Sequence, residues 1–111
     1  MNIDADTIAR IDATLLPQLD RHHLRLLAHC LSSFRDMSSD VDGALPNAAL
    51  RRQWCEQQPV VADDPQFLRV LLDQLNNAAQ QLEDVAEHCR KVPLELSLDD
   101  LIAAAERRCR S

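Results

Sequence analysis

Aromatic residues are scarce in this chain of 111 residues: Trp54, Phe34 and Phe67 are all it has, and Tyr is absent. Glycine occurs once, at Gly43, and lysine once, at Lys91. A core therefore has to be built from Leu, Val, Ile and Ala, and that is helical material. There is no run of about eighteen apolar residues, so no membrane span is expected. Nor does a basic stretch lead into an apolar one after Met1, so no secretory leader is expected. Without such a leader, the scattered Cys30, Cys55, Cys89 and Cys109 are expected as reduced thiols in a cytoplasmic protein.

With 46% apolar and 27% charged residues, the chain has enough apolar material to fold rather than stay disordered. Its length suits one domain, a single helical unit over residues 1–111. The formal net charge of −6 repels phosphate backbones. Arg51-Arg52 and Arg107-Arg108-Arg110 are the only basic gatherings, and no stacking aromatics are interleaved with them. Neither nucleic acid nor a membrane surface is expected as a partner.

Helix punctuation divides the chain. Asp4 reads as an N-cap, with Ile3 and Ile8 as a hydrophobic staple and Ile8, Ile11 and Leu15 on one face, so a short first helix is predicted up to Pro17. Asp20 repeats that grammar, with Leu19 and Leu24 as staple. The helix it opens should run to about residue 37, turning His23, Leu24, Leu27, Cys30, Leu31, Phe34 and Met37 one way and His22, His29, Ser33 and Asp36 the other. Residues 40–46, with Gly43 and Pro46, read as a loop. A short helix over residues 47–57 carries Leu50 and Trp54, and Val60 to Ala62 reads as an extended link.

The longest uninterrupted pattern runs over residues 65–90, with Asp64 as N-cap and Pro65 at the first helical position. Its stripe of Phe67, Leu68, Leu71, Leu72, Leu75, Ala78, Ala79, Leu82, Val85, Ala86 and Cys89 is wide enough for two neighbours. A helix of roughly 40 Å exceeds what a domain with a radius of gyration of about 13 Å needs, and the surplus invites a partner. Ala78, Ala79 and Ala86 are small enough to let a crossing helix approach, from this chain or from a second subunit. After Pro93, Leu96 and Leu101 form another staple, and Ser97 with Asp100 makes a capping-box pattern. The last helix presents Leu98, Leu101, Ile102, Ala105 and Cys109.

Candidate chemistry is thin. The histidines adjoin one another or cysteines, as His22-His23, His29-Cys30 and His88-Cys89, but neither His-x-x-x-His nor Cys-x-x-Cys occurs. A metal would need His23, Cys30 and Cys89 to converge from different helices. Paired carboxylates such as Asp63-Asp64 and Asp99-Asp100 read as helix N-terminal charges, and Asp84 with His88 as a surface pair. No catalytic residue, cofactor or metal ligand is assigned, and the protein is not expected to be an enzyme. Trp54, Arg51 and Arg52 are the expected partner contacts, since Trp and Arg most often carry interface energy, with Ala78 and Ala86 as a possible crossing point.

The expected fold is all-α, an antiparallel bundle of four main helices plus one short helix, with the long central helix at about residues 65–90. The expected function is a non-catalytic protein-protein interaction module, an adaptor, assembly factor or regulator, working as a homodimer or with a protein partner. The alternative is a small-ligand- or metal-binding bundle that uses its inward His and Cys residues.

Overall fold

Residues 5–38 and 43–110 are described by a computed structural model of the protein. The Asp4 cap with its Ile3 staple and residues 39–42 of the expected loop lie outside the described residues. Six α-helices and one 3-10 turn account for the regular structure, and no strand occurs among the described residues. The helices are α1 (Ala5–Asp12), α2 (Gln18–Met37), α3 (Ala48–Glu56), α4 (Pro59–Asp63), α5 (Phe67–Cys89) and α6 (Leu98–Arg110), with the 3-10 turn at Pro93–Glu95 before α6. The chain is all-α.

Two helices carry most of the core. α2 buries Leu24, Leu27, Ala28, Cys30, Leu31, Ser33 and Phe34, and α5 buries Leu75, Ala78, Ala79, Leu82 and Ala86. His23 meets Gln81 and Cys30 meets Gln74, so α2 and α5 run antiparallel. α6 and α1 close the cluster with Leu101, Ala105 and Ile11, and Leu96 joins from the turn before α6. α3 packs on α5 and α2 and contributes Cys55.

The surplus length expected of α5 is not there. Its 23 residues span roughly 35 Å at about 1.5 Å per residue, within the 39 Å longest dimension of the molecule, so it lies inside the body rather than projecting as an arm. It starts at Phe67 rather than Pro65 because Asp64 builds a tight turn. The Asp64 carboxylate accepts the Gln66 N–H at 3.2 Å, and its carbonyl accepts the Phe67 N–H at 3.0 Å. At its other end Arg90 adopts the left-handed conformation (φ 57°). There the Lys91 N–H bonds to the Ala86 carbonyl and the Arg90 N–H to that of Glu87, a Schellman closure.

Four local expectations change. Val60 to Ala62 is not an extended link but part of the single-turn α4, with Pro59 at its first position and Val61 buried. Leu15 is fully exposed because α1 stops at Asp12, where the Thr14 hydroxyl and N–H both bond to the Ile11 carbonyl, and Leu16 takes the buried place. Leu19 is 83% exposed because α2 already starts at Gln18, which puts Leu19 within its first turn and not at the staple position before the cap. Ser33, expected on the polar side of α2, is buried with its hydroxyl bonded to the His29 carbonyl at 3.2 Å. Four helices surround α2, so its buried arc is wider than a one-sided stripe.

Candidate partner-binding surface

The five residues singled out for partner contact fall into two groups. Ala78 and Ala86 are buried in the chain's own core, so their small side chains serve the internal packing of α5. Arg51, Arg52 and Trp54 sit on α3. Trp54 is half-buried against the core, and its carbonyl accepts the Gln58 side-chain amide at 3.1 Å. Arg52 is exposed, lies 3.7 Å from Glu56 one turn on, and lines an open groove with Pro65, Gln66, Leu68, Arg69 and Leu72. Arg51 keeps its Nε buried without a hydrogen-bond partner.

The histidines and thiols do not gather. The His23 ring shares a 2.5 Å hydrogen bond with the Gln81 side chain, and Cys30 is the weak acceptor of the Gln74 amide at 4.0 Å. Among the described residues no three His, Cys, Asp or Glu side chains stand close enough to hold a metal ion. Burial pushes the thiols of Cys30 and Cys55 up, so both are held as thiols, the unreactive form. Cys109, expected on the inner face of α6, is exposed. Desolvation, then the nearby Asp20 carboxylate, raise its thiol.

A cleft opens where α2, α5 and α6 meet, with a volume of about 230 Å³. Leu24, Leu27, Val85, Leu101, Ala104 and Ala105 give it an apolar lining, and His23, Gln81, Asp84, His88, Arg107 and Arg108 give it polar walls. The His23–Gln81 bond separates it from a second groove between α2 and α5, lined by Leu26, Gln74, Asn77 and Ala78. Asp84, on the α5 wall, accepts from Gln80 at 3.3 Å. Arg107, half-buried on the α6 wall, makes no hydrogen bond or ion pair among the described residues. Sequence reasoning passed over this site, because its walls come from three helices whose crossing has no local signature. The Arg107-Arg108 pair was the one signal in reach.

No helix among the described residues is long and apolar enough to cross a membrane. No curated protein and no solved structure matches the chain. A family model does, that of the NDH complex assembly factor CRR9, over residues 3–111. Since the match covers nearly the whole chain, the protein belongs to the NDH complex assembly factor CRR9 family.

Proposed function

We propose that the protein is a non-catalytic assembly factor that helps build an NDH complex by binding one of its protein components. Membership of the CRR9 family over residues 3–111 is the observation that carries this reading. The chemistry of the core agrees with it, since the most buried thiols, Cys30 and Cys55, are held as inert thiols. The surface offers contact chemistry: Leu15, Leu19, Val60, Phe67 and Val70 are exposed, and Arg side chains stand on α3 and α6. An assembly factor binds a precursor and leaves the finished complex. Tagged protein is therefore expected to co-purify with NDH components in particles smaller than the mature complex. Recovery mainly with the mature complex would make it a resident subunit instead, and recovery with no NDH component would end the reading.

A cytoplasmic location and self-association are further parts of the proposal. Val60, on α4, and Phe67 and Val70, on the first turns of α5, form the apolar surface we assign to a second copy. Light scattering is expected to show twice the 12.5 kDa chain mass, and Phe67→Ser with Val70→Ser to return the monomer. A wild-type monomer at high concentration rules the dimer out without touching the assembly role.

A further inference from the structure

We infer that the α2–α5–α6 cleft is the docking site for a segment of the NDH partner that carries a carboxylate beside an aliphatic side chain. The inference rests on the assembly reading and names which surface performs it and what that surface recognises.

Three observations converge there. First, Arg107 is a half-buried guanidinium with no anion among the described residues, beside the apolar lining formed by Leu101, Ala104 and Ala105. A guanidinium in an apolar setting presents planar donors suited to a carboxylate, and pairs with one more strongly there than in open water. Second, the cleft is polarised. Its α6 wall carries Arg107 while its α5 wall carries Asp84, so an incoming acid is drawn to α6 and repelled from α5, which fixes the orientation of the segment. This cationic wall stands out on a chain with a net charge of −6. Third, the apolar surface continues past the cleft. Leu19 stands one turn before His23 on α2 and is exposed, so it extends the lining outward.

Size points to a protein segment and not a free small molecule. At about 230 Å³ the cleft is smaller than the ~300–1,000 Å³ typical of ligand pockets. It accepts an anchoring side chain, and exposed Leu19 takes a flanking residue.

The test places a photo-crosslinking amino acid at Ala104 of the full chain, in cells that build the NDH complex. Crosslinks are expected on an NDH component, within a segment holding Asp or Glu next to Leu, Ile or Val. Arg107→Glu, and Arg107→Gln as the gentler variant, should each cut the yield at least about tenfold. Arg69→Glu, in the groove on α3 and α5, should leave it unchanged. Reversing the mapped carboxylate to Lys should restore crosslinking to Arg107→Glu. Undiminished crosslinking by both Arg107 variants, or crosslinks confined to a basic segment or a second copy of this chain, overturns the docking site. Its failure is separable from that of the assembly role: if wild type and both Arg107 variants restore NDH assembly equally, only the docking site falls. If wild type restores nothing, the assembly role falls.

Discussion

Among the described residues, two hold left-handed backbone, and only one of them is glycine. Gly43 has φ +76° and accepts the Leu94 N–H at 2.9 Å, and a Cβ there would run into the Val92 side chain. The single glycine thus sits where the loop before α3 passes close to the segment between α5 and α6. Gly43→Ala is expected to lower unfolding stability by about 1–2 kcal/mol, from backbone strain and the collision together. Arg90 holds the same kind of backbone at the end of α5 with an ordinary side chain. Replacing it with glycine relieves the strain at some entropic cost, for a net gain of roughly 0.5–1 kcal/mol. Urea midpoints for the two variants should move in opposite directions, and a shift of the same sign would contradict this account. Arg35 fixes the segment before α6 by its side chain instead. Its guanidinium bonds the Leu94 carbonyl at 3.0 Å and the Leu96 carbonyl at 2.5 Å, pinning the 3-10 turn to α2, so Arg35→Ala should cost about 1–3 kcal/mol.

At the scale of elements, the start of α6 shows which parts of the structure a sequence announces. Ser97 accepts the Asp100 N–H at 3.1 Å, Asp100 accepts the Ser97 N–H at 2.9 Å, and Leu96 and Leu101 are buried as the staple requires. Every partner lies within five residues, so the motif is legible without knowing the fold. The Leu19–Leu24 staple used the same letters and failed, because its reading depended on where α2 begins, and Pro17 moved that start upstream. The buried arc of α2 and the α4 turn were illegible for a related reason: both are decided by neighbours far away in sequence.

The α6 cap also titrates. The Lys91 ammonium, 2.7 Å from the Asp100 carboxylate, and the Ser97 N–H hold Asp100 at about 2, below its ordinary 3.8. A depressed carboxylate contributes stability that is complete above its unfolded value and is lost as pH falls toward the folded one. Wild type should therefore lose stability between roughly pH 4 and pH 2. Asp100→Asn should lose less over that window while starting from a lower value at neutral pH. Parallel pH profiles for the two proteins would show that the Lys91–Asp100 contact is not formed in solution.

Across the whole molecule, sequence reasoning reached the class and the main helices, because the Leu-rich stripes of α2 and α5 repeat at helical spacing and both helices bury them. It did not reach the α2–α5–α6 cleft. Trp54 and the two arginines beside it stood out by residue type, whereas the α2–α5–α6 cleft exists only because three helices cross with Arg107 left at its edge. Ala78 and Ala86 read in the sequence as a crossing point within this chain or with a second subunit, and in the folded chain their burial fits the internal crossing.

We propose that this chain is needed to assemble an NDH complex and runs no reaction of its own. The most direct measurement is the amount of fully assembled complex on native gels from cells lacking the protein, alongside the total amount of its subunits. The mature complex is expected to be depleted while subunits persist in smaller particles, and the 111-residue chain to restore it. Mature complex at the wild-type level in cells without the protein would contradict the account.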